Sequence, residues 1–283
     1  MRNALFSSVA FALAVSGTSA IAADIPEAVS YGPGPVAPAL ITEFVVEGWG
    51  GVAFILGENG NPNPNNTTLG DFGGNARFSL PFGQAFSVQL DAYGEITTNG
   101  GDNDNFDNAL TGAAHLSWRD PQMGLFGVFG GWGLHESDGT DGDHYFVGLE
   151  GQYYSGNWTF YGQGGFMDAE SDQGTADDAF HDAFFARAVA RYFPTADSRF
   201  QGELSFAHGE QDSNDRDQSN IGWGLRYDRG ISDIFPTVPA TVFVGYRGGY
   251  FDNGSGDGGC FSDHTFLAGF RMTFGGGSPD MLT

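Results

Sequence analysis

Between Glu43 and Phe274 apolar and polar residues alternate with a period of two. Successive side chains of a β-strand point to opposite faces, so this period predicts strands with one apolar and one polar face. Four segments show it most clearly, with the apolar sets Phe86, Val88, Leu90, Ala92, Ile96; Trp158, Phe160, Gly162, Gly164, Phe166; Phe184, Ala186, Ala188, Ala190, Tyr192; and Phe266, Ala268, Phe270, Met272, Phe274. Polar residues such as Gln89, Thr159 and Arg187 occupy the opposite face.

The pattern predicts about twelve strands, although counts of ten or fourteen stay open. They lie near 43–56, 70–80, 84–97, 108–119, 123–135, 143–154, 157–168, 180–193, 198–209, 219–228, 239–251 and 263–274. The fifth strand is the least distinct, because Phe126 and Val128 on one face compete with Phe129 on the other. The predicted fold class is all-β, an up-and-down antiparallel arrangement.

The connections between these strands alternate in length. Tight turns fall at 81–83, 120–122, 155–156 and 194–197, and long acidic connections at 57–69, 98–107, 136–142, 168–178, 210–218 and 252–262. Only 229–238 is longer than the other connections on the short side. Long loops on one rim and short turns on the other are typical of transmembrane β-barrels, and an even strand number puts both termini on the short-turn side.

The first residues read as an export signal. Arg2 precedes an apolar stretch from Ala4 to Val15, and Ala20-Ile21-Ala22 has the small-x-small form of a cleavage site. We therefore expect a cleavable signal peptide at 1–22, a Pro-rich periplasmic leader at 23–42, the barrel at 43–274 and a C-terminal tail at 275–283. Later segments fall short of the roughly 18 consecutive apolar residues of a spanning helix.

The composition narrows the class of protein. Glycine is frequent, with 46 residues, and aromatic residues reach 15% while charged residues are 16%. The formal net charge of −24 disfavours binding to nucleic acid, which is itself a polyanion. Cys260 is the one cysteine of the chain, which excludes an intramolecular disulfide.

Most charged residues within the strands fall on the polar face. Arg247 is less clear, because Phe243 and Phe251 share its face, and Asp168 and Asp182 fall on the apolar face, but only at strand ends. Local alternation does not separate a membrane barrel from a soluble sandwich, whose polar face points outward. The signal peptide and the loop asymmetry favour the barrel. A barrel suits a membrane because a closed sheet pairs every backbone N–H and C=O group in hydrocarbon. Its predicted pore-lining residues are Arg77, Asp91, Glu95, Glu150, Arg187, Arg191, Glu203, Arg226, Arg247 and Arg271. These charges either line an open pore or pair with one another and fill the lumen.

The last strand carries a resemblance to a known family. The segment from Leu267 to Phe274 resembles the terminal strand that the outer-membrane assembly machinery recognises, with Phe270, Met272 and Phe274 as its alternating hydrophobic residues and closing aromatic. With the signal peptide and leader, 43–274 resembles the porin-like families of Gram-negative bacteria. The resemblance implies an outer-membrane location, contact with lipid and lipopolysaccharide, and passive passage of ions or small polar solutes. The alternative is a non-conducting structural or adhesive surface barrel. The chain departs from the family in continuing beyond Phe274.

Other candidate sites are weaker. Carboxylates in the long connections offer oxygen ligands to Ca²⁺ or Mg²⁺, although without a full EF-hand pattern; the candidates are Asp102, Asp104, Asp138, Asp141 and Asp143. We expect loosely bound divalent ions at most and no other cofactor. Pairs such as His115 with Ser117, His144 with Asp143 and His208 with Glu210 are neighbours in sequence only, so we expect no enzyme activity.

The alternating connection lengths predict an orientation that protease shaving of intact cells tests. Cleavage is expected in the 168–178 or 210–218 connection, because long loops face the exterior, while the turn at Pro194 is spared. Cleavage confined to the short turns would reverse this orientation.

Overall fold

A computed structural model describes residues 42–58, 67–83, 85–98, 106–120, 123–137, 140–171, 180–211, 216–231, 234, 240–252 and 260–275. Its strands are β1 Glu43–Glu58, β2 Thr67–Phe82, β3 Phe86–Thr98, β4 Phe106–Asp120, β5 Gly124–Ser137, β6 Thr140–Ser155, β7 Trp158–Ser171, β8 Phe180–Thr195, β9 Ser198–Gln211, β10 Arg216–Gly230, β11 Ala240–Asp252 and β12 Cys260–Phe274. The twelve predicted strands are confirmed. The predicted signal peptide and nearly all of the leader and tail lie outside the described residues.

The strands close into a barrel. Each strand pairs antiparallel with the next, and β1 pairs with β12 in a register that runs from Phe44 opposite Phe274 to Glu58 opposite Cys260. Closure leaves no sheet edge, so backbone hydrogen bonding within the sheet is complete around the circumference. Over the described ranges, no helix has the length and apolar character needed to cross a membrane.

Most strands are longer than the alternation predicts, chiefly at the ends joined by long connections. β2 begins at Thr67 rather than at 70, and β12 begins at Cys260 rather than at 263. Glu136 of β5 and Asp141 of β6, which lie in the predicted 136–142 connection, are paired opposite one another in the sheet. Backbone pairing does not require an apolar face, so it continues into a region where the alternation has faded.

The apolar faces of the four clearest segments point outward. Leu90, Phe166 and Phe266 are 51%, 71% and 56% exposed, while the residues between them face the lumen. The fifth strand resolves in the same sense, with Phe126 exposed and Phe129 buried inside the barrel. Both of its faces are apolar because this part of the lumen is apolar too, which explains why the sequence left its phase indistinct.

Aromatic rings gather on the outer face near both ends of the strands. On the short-turn side the contacts are Phe44 with Phe274, Phe82 with Phe86, Trp158 with Tyr192 and Phe200 with Tyr227; toward the long-loop side they are Phe54 with Phe266 and Phe184 with Phe206. Two such girdles flanking an apolar band are the pattern of barrels that sit in a bilayer.

The ladder between β8 and β9 shifts register at both ends, between Tyr192 and Thr195 on the short-turn side and at a bulge on the long-loop side. The register with β9 shifts between His181 and Phe184, and Asp182 has a φ of 47°, in the left-handed region. A bulge inserts one residue and so changes the side-chain phase. The carboxylate of Asp168 on β7 holds this bulge, because it accepts hydrogen bonds from the Asp182 N–H and from His181.

The exposed position of Ala188 predicts how β8 tolerates charge. Ala188 points outward near mid-strand, between the inward Arg187 and Val189. Ala188→Arg should lower the free energy of unfolding in lipid by about 2–4 kcal/mol, the cost of a cation at the bilayer midplane. Ala188→Leu is the matched control and should be neutral. Equal stability of the two variants in a urea titration of the vesicle-inserted protein would contradict the outward placement.

Candidate functional site

The lumen holds the charged residues that the alternation assigned to the polar face. All ten predicted pore-lining residues point inward, and the residues Arg187, Arg191 and Glu150 are 3%, 1% and 2% exposed. Charges removed from water in this way are costly unless they are paired. Their partners therefore determine what the lumen can do.

One group of charges lies in the short-turn half of the lumen, centred on Asp228, and is called here the Asp228 network. Asp228 is fully buried and accepts hydrogen bonds from Arg199 at 3.1 Å and from Arg226 at 2.8 Å. Arg226 also forms a forked pair with both oxygens of Glu47 at 2.7 Å, and Arg271 Nε donates to Glu47 at 3.0 Å. Since Glu47 is on β1 and Arg226 on β10, this network crosses part of the lumen.

A second ion-paired group forms around Arg247, whose facing the sequence left uncertain. Its guanidinium donates to both oxygens of Glu95 at 2.9 and 3.1 Å and also pairs with Asp71. Tyr93 donates to Glu95 and Trp49 Nε1 donates to Asp71 at 3.3 Å. Arg247 on β11 thus reaches β2 and β3, on the far side of β12 and β1.

His115 connects carboxylates on two other strands. Its Nε2 lies 3.1 Å from Asp91 of β3 and its Nδ1 lies 3.1 Å from Glu150 of β6. The hydroxyl of Tyr161 on β7 donates to the same Glu150 oxygen at 3.0 Å. The sequence placed His115 beside Ser117, but Ser117 contacts Ser87 instead. Only the alignment of neighbouring strands brings His115 to its carboxylates.

Arg187 and Arg191 lie against the wall formed by β8 and β9. Arg187 Nη2 donates to Glu203 Oε2 at 2.7 Å, and Arg191 Nε donates to Gln201 at 3.1 Å. The Arg191 guanidinium also lies over the ring of Tyr161 at 5.9 Å. Contacts with β9 therefore hold both arginines, and the Tyr161 ring on β7 adds a contact for Arg191.

Two apolar clusters occupy inward positions toward the long-loop end, a feature that the sequence analysis missed. One contains Phe129, Met167, Ala169, Ala183, Phe185 and Ala207; the other contains Ala53, Ile55, Leu69, Phe251 and Phe261. They lie on opposite walls of the barrel, on β5 and β7–β9 and on β11–β2. The competing apolar phases of β5 were the one sequence signal for the first cluster.

Several inward aromatic rings lie against glycines of the adjacent strand. A Cβ built on Gly131 would stand 2.3 Å from Phe146, and one built on Gly269 would stand 2.4 Å from Phe243. The ring of Trp49 covers Gly73 in the same way. Because the glycines make room, these large side chains rest on the wall of the lumen, which accounts for part of the high glycine content.

A cavity of about 100 Å³ remains between the Asp228 network and Arg247. It is bordered by Glu47, Trp49, Asn75, Tyr93, Gln201, Glu203, Gly224, Leu225, Arg226, Phe243, Gly245, Tyr246, Arg247, Leu267 and Arg271. Gly224 and Gly245 border it, and the side chains of Glu203 and Leu267 lie against them, since a Cβ built on these glycines would stand 2.8 Å from Glu203 Cγ and 2.9 Å from Leu267 Cδ1. Arg187 and Arg191 do not border this cavity, although their partners Glu203 and Gln201 do.

The remaining candidates do not assemble into a site. His144 contacts Thr111 at 3.2 Å while Asp143 accepts from Trp132, and His208 contacts Ser219 at 2.9 Å rather than Glu210. In the part of the chain that the structure describes, no three metal-ligating side chains come together. That part includes Asp141 and Asp143; the other calcium candidates, Asp102, Asp104 and Asp138, lie outside it.

Comparison with known proteins identifies the fold. No protein-family model and no curated protein sequence matches the chain. Among solved structures, an outer-membrane channel of Pseudomonas putida F1 matches with a TM-score of 0.60 at 13% identity, covering 87% of this chain and 100% of that chain. The translocator domain of the autotransporter NalP from Neisseria meningitidis matches with a TM-score of 0.51 at 10% identity, covering 81% and 88%. The chain therefore has the fold of an outer-membrane β-barrel.

The burial of Asp228 predicts a large effect on stability. Asp228→Asn removes the negative charge that faces Arg199, Arg226 and Arg271, and should cost about 3–5 kcal/mol because buried cations lose their partner. Asp197→Asn, which breaks the exposed pair with Arg229 at 3.0 Å, is the control and should cost about 0–1 kcal/mol. Denaturant midpoints in micelles measure both; similar midpoints would exclude a structural role for the Asp228 network.

Proposed function

We propose that this chain is an outer-membrane channel for the passive diffusion of ions or small polar solutes. The observation that carries the proposal is the cavity inside the closed barrel, bordered by both carboxylates and guanidinium groups. Such opposed fixed charges create a transverse field that orients and selects solutes in a narrow pore. The fold shared with an outer-membrane channel is consistent with this role.

The cavity is small, so the proposed channel is narrow. Most inward charges are buried, whereas the side chains of Arg226, Arg247 and Glu203 that border the cavity are each 16% exposed. Solvent therefore reaches this section of the interior, and a solute crossing the barrel meets these three side chains. A field from fixed charges acts most strongly where water is scarce.

The second candidate is a non-conducting structural or adhesive surface barrel. Two observations favour it: the close pairing of the inward charges, and the apolar clusters on both walls toward the long-loop end. Apolar constrictions oppose the passage of hydrated ions by excluding water. Under this alternative the ion pairs are internal braces, and function belongs to the acidic long connections.

The proposal includes a cellular setting. The chain is exported through its signal peptide and inserted by the barrel assembly machinery, which reads the outward-facing Phe270 and Phe274 together with Met272. Its apolar belt contacts outer-membrane lipid and lipopolysaccharide, and acidic connections bind divalent cations loosely. Proteoliposome reconstitution with truncation after Phe274 or substitution of that residue tests the assembly step.

Conductance in planar bilayers distinguishes the two candidates. Discrete current steps from the purified chain support the channel, and a silent barrel inserted at the same density supports the structural role. Detergent alone and heat-unfolded protein are the controls. Because a narrow pore restricts bulky solutes more than small ones, steps in potassium chloride should shrink when the chloride is exchanged for a large organic anion.

Substitution of Arg187 tests whether the inward charges set the ion selectivity of the channel. Arg187→Gln leaves the Glu203 carboxylate at the cavity without its 2.7 Å ion pair, so the reversal potential in a salt gradient should shift toward cations. The shift should also appear in the Arg187→Gln/Arg191→Gln double variant. It should be larger near 0.01 M salt, where the Debye length is about 30 Å, than near 1 M, where it is about 3 Å.

Arg229→Gln is the matched control, since Arg229 pairs with Asp197 at the exposed rim and lies away from the cavity. It should leave the reversal potential unchanged. If the Arg187 variants behave like this control, Arg187 and Arg191 lie outside the conduction path and the filled-lumen interpretation is favoured.

A further inference from the structure

The charges inside the barrel are distributed unevenly along its axis. The inward residues of the described strands that lie within four positions of the short-turn end of their strand form what is called here the basic section. In this section arginines outnumber carboxylates by five to three. The arginines are Arg119, Arg191, Arg199, Arg226 and Arg271, and the carboxylates are Glu43, Glu47 and Asp228.

The rest of the lumen has the opposite excess. Between the basic section and the outermost residues of the long-loop rim lies the acidic section, where carboxylates outnumber cations by six to four even when His115 is counted as protonated. The long connections beyond it are also acidic in sequence. The carboxylates of the acidic section are Asp71, Asp91, Glu95, Glu150, Glu203 and Asp263, and its arginines are Arg77, Arg187 and Arg247.

Ion pairing does not remove these excesses. Asp228 accepts hydrogen bonds from Arg199 and Arg226, and Arg271 Nη2 lies 4.0 Å from it, so three guanidinium groups share one carboxylate. In the acidic section the sharing is reversed, because two carboxylates share Arg247. Each section therefore keeps a net charge, and the field of that charge extends along the lumen.

A pore that is positive at one end and negative at the other conducts unequally in the two directions. When the long-loop side is at positive potential, cations enter through the acidic section and anions through the basic section, so carriers of both signs accumulate where the sections meet. The opposite potential withdraws both kinds of ion from that junction and lowers the conductance. Fixed charges act on ions most strongly where a pore is narrow and holds little water.

We propose that this charge distribution makes the channel a rectifier, which passes more current when the long-loop side is positive. The inference rests on the proposed channel function and adds to it a direction. It assigns the direction to the difference in net charge between the basic and acidic sections rather than to any single ion pair.

Current–voltage curves of the full chain in planar bilayers test the rectification. Near 0.1 M potassium chloride, where the Debye length is about 10 Å, the current at about 100 mV positive on the long-loop side should be about twice the current at the opposite potential. Near 1 M, where the Debye length is about 3 Å, the ratio of the two currents should approach one. Streptavidin added to one side of a chain biotinylated at Cys260, at the long-loop end of β12, identifies the orientation. A symmetric curve at low salt, or a larger current at the opposite potential, would overturn the proposal.

Substitutions in the two sections should both weaken the rectification. Arg191 donates to Gln201 and lies over the ring of Tyr161, which are neutral groups, and Arg191→Gln removes one positive charge from the basic section. The current ratio should fall toward one, while Arg191→Lys keeps the charge and should keep the ratio. Asp263→Asn removes one negative charge from the acidic section with almost no change of shape, and should also lower the ratio. A strand-rich circular dichroism spectrum confirms that each variant is folded.

Arg229→Gln is the matched control, because it removes the same charge at the same end of the barrel but from the outer face. The side chain of Arg229 is 41% exposed and pairs with Asp197 at 3.0 Å. The current ratio should match that of the unaltered chain. If Arg191→Gln and Asp263→Asn also leave the ratio unchanged, the charges of the lumen do not cause the rectification and the proposal is overturned.

The two proposals fail in different ways. A chain that gives discrete current steps with a symmetric current–voltage curve overturns the rectifier and leaves the channel. A barrel that inserts but is silent at both potentials overturns the channel, and the rectifier with it.

Discussion

Closure of the sheet is the constraint on which the rest of the structure depends. In hydrocarbon every unpaired N–H or C=O costs several kcal/mol, and the pairing of β1 with β12 removes the edges where such groups would stand. Once the ring is closed, alternation divides the side chains into a lipid face and a lumen face. The apolar belt, the aromatic girdles and the enclosed charges all follow from that division.

Closure also creates an electrostatic problem inside the barrel. Arginines and carboxylates that share a narrow lumen lose much of their hydration, which costs more than a single ion pair returns. In the structure these charges share partners. Asp228 accepts hydrogen bonds from Arg199 and Arg226, and Arg247 forms ion pairs with acids on two strands. Networks of this kind hold distant strands together, so the same residues brace the wall and define the electrostatics of the interior.

Glycine gives the lumen its remaining space. Gly131, Gly73 and Gly269 lie beneath aromatic rings, which therefore rest on the wall, and a cavity remains in the section that Gly224 and Gly245 border together with Glu203 and Leu267. The interior is thus neither an open tube nor a uniformly packed core. Its chemistry varies along the axis, since the Asp228 network lies toward the short turns while the two apolar clusters lie toward the long loops.

The sequence by itself determined a strand count of about twelve, the phase of most strands and the inward direction of residues such as Arg187 and Arg271, because a period of two and the lengths of connections are local properties. It did not determine which charges meet. The contacts of Arg247 with Glu95 and Asp71, and of His115 with Glu150, depend on register and curvature, which bring together residues that are 152, 176 and 35 positions apart in the chain. The sequence did not predict the inward apolar clusters for the same reason. An apolar residue gives the same sequence pattern whether its side chain contacts lipid or another wall of the lumen. Only the closed tertiary structure decides between the two, because it sets which surface each face of a strand encounters.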